Sequence, residues 1–215
     1  MNSSTEHGGP GAEPASEFHV GIDYLHGTPV ATVDDFVAAV DAPGLVLRTR
    51  CRDVEAQASV EWLMPTFVVA YLTRAYFDGF LGEMGKDHYR LLRRSLISLG
   101  NRLLGPTGPP AVLVSASGRL SSGKRFSIIY SIEAETDQCR SIKLLLPKAV
   151  SERELADAVE AFTDLLLDHD RLSTTVDEYR QLVPFDPVLT WFDPQSQQIA
   201  VVDPVPPEVR RRGRS

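Results

Sequence analysis

The chain has 215 residues, 43% of them hydrophobic and 24% charged, with a net charge of −7. That is long enough for one domain with a substantial core, and the proportions are those of a globular protein. The acidic balance gives no general reason to expect nucleic-acid binding, which calls for a basic face.

Met1 to Ser16 is Gly, Pro, Ser and Glu with almost no apolar residues, and reads as a disordered tail. It holds no basic region followed by an apolar run, so no secretory signal is expected. Cys51 and Cys139 lie far apart and match no metal or redox spacing. Two free thiols in a reducing, cytoplasmic compartment are the expectation. Phe18 to Leu25 reads as a strand ending at the turn signal His26-Gly-Thr-Pro29. Thr32 is the expected N-cap of a helix near Val33 to Val40, with Asp35 suited to the positive helix start. Leu45 to Arg50 is a second strand. The strand–helix–strand order fits a parallel pair joined by a right-handed crossover.

From Asp53 to Leu63, alternation of Val54, Ala56, Ala58, Val60 and Trp62 favours a strand. Pro65 then suits the first turn of a helix running to Leu81. On that helix Arg74 and Asp78 share a narrow line, while Val68, Val69, Leu72, Tyr76 and Phe80 spread over a wide apolar arc, as in a buried helix. A membrane span is disfavoured, because a charge at bilayer centre costs about 2.5–3.5 kcal/mol on insertion scales. A second helix covers Lys86 to Leu104. Its core stripe is Tyr89, Leu92, Leu96, Leu99 and Leu103, and Lys86, Arg90, Arg93 and Arg94 form a basic face. Gly82 and Gly85 permit the two helices to reverse into a hairpin.

After Gly105 to Pro110 a three-strand meander is expected: Ala111 to Ala116, a strand around Phe126 to Ile132, and one around Ile142 to Leu146. Ser151 and Glu154 form a capping box that starts a long helix with Leu155, Val159, Phe162 and Leu166 buried. Past Leu172 the chain reads as irregular. Val188 to Phe192 and Gln198 to Val202 could still pair across Asp193 to Gln197. The fold class that follows is α+β: a mixed or antiparallel sheet with a late meander, a central helical hairpin and a long later helix packed on it. One domain spans 17–172. An extension at 173–204 carries the hairpin, and 205–215 is an Arg- and Pro-rich tail.

No catalytic constellation emerges. Gly118 to Lys124 has the glycine and lysine spacing of a phosphate-binding loop. Arg125 stands where the magnesium-holding hydroxyl belongs, and the loop leads into a strand rather than a helix. Arg119, Lys124 and Arg125 therefore read as a cationic loop open to an anionic partner. His19, Asp23 and His26 do not converge as three metal ligands should. In Asp168-His169-Asp170 adjacent helix residues face apart, and the His suits a helix C-terminus. Neither cysteine has an evident base. No cofactor and no metal site is implied.

The basic face of Lys86, Arg90, Arg93 and Arg94 has three readings: a solvated face, a surface paired with Glu160 and Asp164 of the later helix, or a receptor for an acidic partner. The functional expectation is a non-catalytic interaction or regulatory module that binds another protein, with Trp191 as a further contact. Oligomerisation is compatible with it. The alternative is an enzyme or binding protein for a phosphorylated or anionic ligand, using the 117–125 loop together with the 86–104 helix. A second alternative is a membrane-interacting effector acting through 62–81.

Overall fold

The computed structural model describes residues 18–53, 66–105, 108, 126–136, 140–182 and 186–203. Its elements run β1 (Val20–Leu25), α1 (Val30–Val40), β2 (Leu47–Arg52), β3 (Val68–Leu72), a π-turn segment (Tyr76–Phe80), α2 (Leu81–Met84) and α3 (Lys86–Leu104). There follow β4 (Phe126–Thr136), β5 (Arg140–Pro147), α4 (Glu152–Leu167), α5 (His169–Leu182), β6 (Val188–Asp193) and β7 (Gln198–Val201). Among the described residues the strands form one mixed sheet in the order β2-β1-β3-β4-β5-β6-β7. The α+β architecture follows the sequence, and the expected hairpin of β6 and β7 is present, with Trp191 opposite Ala200.

Parallel pairing joins β1 to β2, β3 to β4 and β5 to β6; the remaining neighbours are antiparallel. Registers place Ile22, Ala70, Ile132 and Leu144 in one row on the face that the helices cover. Tyr130 anchors that packing, donating its hydroxyl to the Leu96 carbonyl of α3 at 3.1 Å. With all helices on one face, strand direction and order make the β5–α4–α5–β6 connection opposite in hand to the other two. At least one of the three therefore departs from the right-handed rule.

The stretch from Thr66 to Leu81 is not a helix. Val68–Leu72 is an inner strand whose residues are buried from both sides except at Tyr71. An apolar run buried on both faces carries no period-two alternation, so its pattern mimics a buried helix. The helical hairpin is reduced to the π-turn segment and α2, which break at Gly85, a residue with φ 74° that glycine adopts without strain, and then meet α3. No helix among the described residues is long and apolar enough to cross a membrane. Residues 62–65 lie outside the described chain, as do the expected strands at Asp53 to Leu63 (beyond Asp53) and at Ala111 to Ala116.

The helix α1 begins earlier than expected. Pro29 occupies the cap position and Thr32 donates its backbone N–H to the Pro29 carbonyl at 3.0 Å, so Thr32 lies inside the first turn. The capping box of α4 is present as read from the sequence. The Ser151 hydroxyl accepts from the Glu154 N–H at 3.2 Å, while Glu154 accepts from the Ser151 N–H at 2.9 Å. The chain past Leu172 is not irregular, since α5 runs on to Leu182. Asp168 both ends α4 and starts α5, its Oδ1 accepting from the Arg171 N–H at 3.1 Å.

Candidate functional site

The basic residues of α3 do not act as one surface. Arg93 turns toward α4, pairs with Asp164 and donates to the Tyr89 hydroxyl at 2.9 Å, with its guanidinium 4.8 Å from the centre of the Tyr89 ring. This is the intramolecular pairing weighed from the sequence, with Asp164 as the acid. Arg90 pairs locally with Asp87 at 2.9 Å, and both side chains are largely in solvent. Lys86 and Arg94 are exposed and have no acidic partner among the described residues.

Arg94 lines a cleft of about 280 Å³ between α1 and α3. Phe36 and Leu99, both buried, give it an apolar floor; Thr32 and Ser98 also line it, and the buried Ser95 hydroxyl is donated to the Leu91 carbonyl at 2.9 Å. Arg102, a residue the sequence reading did not single out, stands at the other end and pairs with Asp35. Its signal was available: Arg94, Ser98 and Arg102 follow one another at four-residue spacing, that of successive neighbours along one side of a helix. Arg119, Lys124 and Arg125 lie outside the described residues. Trp191 is half-buried on the opposite face of the sheet, its ring centre 6.3 Å from that of Phe126. Trp191 and the α3 surface are thus separated by the sheet.

A second concentration of charge lies on that opposite face. One register row reads Arg48, Gly21, Tyr71, Glu133, Lys143 and Leu189 across six strands, and the next contains Arg50, Asp23, Val69 and Ser131. Asp23 is 5% exposed and stands between Arg48 at 3.5 Å and Arg52 at 3.7 Å. These contacts are ionic rather than hydrogen-bonded: Asp23 Oδ1 and the Nε atoms of both arginines are buried without a hydrogen-bond partner. Gly21 makes room for the ring of Phe18, since a Cβ there would stand 2.7 Å from it, and the Arg48 guanidinium lies 3.8 Å over that ring.

Further along the row, Lys143 and Glu133 are 3.8 Å apart and nearly buried, and Ser141 donates to Glu133 at 2.7 Å. Burial pulls the Lys143 ammonium below the usual lysine range; Glu133 opposes that and the Arg52 charge adds to it. Burial, with the negative charges of Glu133 and Asp23, pushes the Tyr71 phenol up to about 12. The network thus sets arginine, lysine and carboxylate side chains around a phenol kept in its neutral form. Its positive excess sits at β2, where Arg50 is exposed and has no acidic partner among the described residues. The sequence reading passed over these arginines because it ended the second strand at Arg50 and so did not see Arg48, Arg50 and Arg52 as one face.

The other candidates are dispersed. His19 accepts the Val46 N–H at Nδ1, 2.9 Å, and its ring neighbours Phe80. His26 Nδ1 lies 3.9 Å from the Cys51 thiol, and Asp23 belongs to the arginine cluster instead. Asp168 caps α5, His88 is buried, and Cys139 lies outside the described residues. The chain matches no protein-family model, no curated protein and no solved structure.

Proposed function

We propose that this chain is a non-catalytic module that binds another protein, taking an acidic, partly apolar segment of it along the cleft between α1 and α3. The observation behind this reading is the cleft itself: Arg94 stands without an acidic partner among the described residues, beside a floor of Phe36 and Leu99. Its volume of about 280 Å³, with Arg94 beside the apolar floor, suits one apolar side chain with a neighbouring carboxylate, in the way anchor residues fill interface pockets.

Charge reversal tests the reading. Arg94→Glu reverses that cation without breaking an ion pair among the described residues, whereas reversal at Arg93 would also break its contact with Asp164. A partner recovered in stoichiometric amount from native extract by the wild type, and lost with Arg94→Glu, supports the proposal. A partner held equally by both proteins, or no partner under gentle conditions, sinks it.

A further inference from the structure

We propose that the edge of β2, where the sheet ends among the described residues, is a docking site for an extended acidic segment of another protein, which joins the sheet as a further strand. The proposal goes beyond the α1–α3 cleft and uses a different surface, because the β2 arginines face away from the helices.

Three observations carry it. The first is position. Among the described residues β2 ends the sheet, and Thr49, Arg50 and Cys51 are exposed in succession. Three exposed residues in a row leave both faces and the outer edge of the strand centre open, so its outward backbone groups are a template for pairing.

The second is spacing. Arg48, Arg50 and Arg52 project from one face at every other residue, so adjacent arginines are about 6.6 Å apart along the strand. An added strand carries its own side chains on that face at the same repeat, with directly opposite Cβ atoms about 5 Å away. A carboxylate opposite Arg50 would meet its exposed guanidinium, and carboxylates two residues to either side would reach the parts of the Arg48 and Arg52 side chains left open beside Asp23. The intervening positions would lie beside Leu47, Thr49 and Cys51, and favour uncharged strand-forming residues.

The third is charge. Among the described residues Asp23 is the carboxylate paired with this comb; it faces Arg48 and Arg52, and Arg50 has no acidic partner there. Three cations against one anion leave a local excess of two on a chain whose net charge is −7. That excess also decides who does not bind. A second copy pairing β2 to β2 would set arginine against arginine, and like charges directly opposite destabilise a strand pair. Edge charges of this sort ordinarily guard against unwanted pairing; here the same charges reject neutral and basic strands while admitting an acidic one. The other end of the sheet offers no such comb, since β7 reads Gln-Ile-Ala-Val.

The test uses the full chain and a synthetic peptide, Thr-Glu-Val-Glu-Thr-Glu-Val, blocked at both ends and labelled for fluorescence anisotropy. Two control peptides accompany it: one of the same composition with its glutamates in a block, and one N-methylated at alternate backbone positions on the pairing edge. Saturable binding that weakens about tenfold or more with each control, and likewise with Arg50→Glu, supports strand addition. Arg50 has no acidic partner among the described residues to lose, and far-UV circular dichroism checks that the variant is folded. Equal binding of the three peptides would reduce the effect to diffuse charge and overturn the proposal. So would binding unaffected by Arg50→Glu, binding lost with Arg94→Glu instead, or no binding at all.

Discussion

His88, in the first turn of α3, holds the end of α1 by donating from Nε2 to the Val40 carbonyl at 2.9 Å. A carbonyl only accepts, so Nε2 carries the proton. In the neutral ring Nδ1 then accepts from the Tyr76 hydroxyl, 3.1 Å away. Val40 is the last residue of α1 and fully buried, so its carbonyl is one of the helix-end groups that no later turn satisfies. The Phe80 ring meets the imidazole edge-on at 4.8 Å and closes the site. His88→Ala leaves the carbonyl and the hydroxyl unpaired and opens a void, with an expected cost of about 3 kcal/mol. His88→Phe keeps an aromatic ring but adds volume and leaves both partners unpaired, and should cost about 2–3 kcal/mol. Urea unfolding of both variants checks this; a loss below about 1 kcal/mol for His88→Ala would show that α1 is held by packing alone.

Gly100 marks the closest approach of α3 to its neighbours. A Cβ at that position would lie 2.8 Å from Leu155 Cδ2 and 2.9 Å from Tyr130 Cε1. Both neighbours are fully buried, and Tyr130 is fixed by its bond to Leu96, so neither can yield freely. Gly100→Ala is expected to destabilise by about 1–3 kcal/mol through overpacking, against the helix propensity it gains. Gly82, in α2, has nothing within 4 Å of its Cβ direction. Gly82→Ala should therefore be neutral or stabilising by up to about 1 kcal/mol. A lowered thermal midpoint for Gly100→Ala, with an unchanged or raised one for Gly82→Ala, is the expected result.

Legibility from the sequence followed how each element is buried. The helix α3 and the start of α4 were readable because one face of each meets water, which preserves the 3.6-residue period and the capping box at Ser151 and Glu154. Inner strand β3 was not, because Val68, Val69, Ala70 and Leu72 are all buried and period two disappears. The helix α5 was hidden for the opposite reason. Arg171, Ser173, Thr174, Asp177 and Glu178 make it polar, and Asp168 reads as a stop until its side chain is seen capping the next helix. The Asp23–Arg48–Arg52 cluster depends on the register between β1 and β2, a long-range fact that no local pattern states. Arg93 and Asp164 could be proposed as a pair from the sequence only because both lie on recognisable helices.

The Arg93–Asp164 pair has one solvent-rich partner: Asp164 is 59% exposed and Arg93 21%. Exposed pairs are typically worth about 0.2–1 kcal/mol, and the coupling energy from a double-mutant cycle of Arg93→Ala and Asp164→Ala should fall there. The single Arg93→Ala change should cost more than the coupling, because the guanidinium also covers the Tyr89 ring and bonds its hydroxyl. A coupling energy above about 2 kcal/mol would mean that the pair is far better shielded from water than its exposure implies.

Lys143 and Glu133 test whether the charged row stabilises the fold or only fixes its pairing. Lys143→Met alone strands the Glu133 carboxylate with Ser141 as its remaining hydrogen-bond donor, at an expected cost of about 3 kcal/mol. The double change Glu133→Gln with Lys143→Met removes both charges and should return stability to within about 1 kcal/mol of wild type. The pH dependence gives an independent readout. The folded-state value of Lys143 is depressed below its ordinary 10.5. Below the depressed value the lysine is protonated in both states and its burial cost is felt in full. Between that value and 10.5 the unfolded chain holds a proton that the folded chain has released, so unfolding free energy rises with pH. Tyr71, Tyr76 and Tyr130 act in the opposite sense above pH 10, since burial raises each in the folded state. Subtracting the pH profile of the double variant should largely cancel the tyrosines and leave the Lys143 slope. A flat difference profile up to pH 10.5 would show that Lys143 is solvated enough to keep its ordinary value, and that the row holds register without an appreciable cost of desolvation.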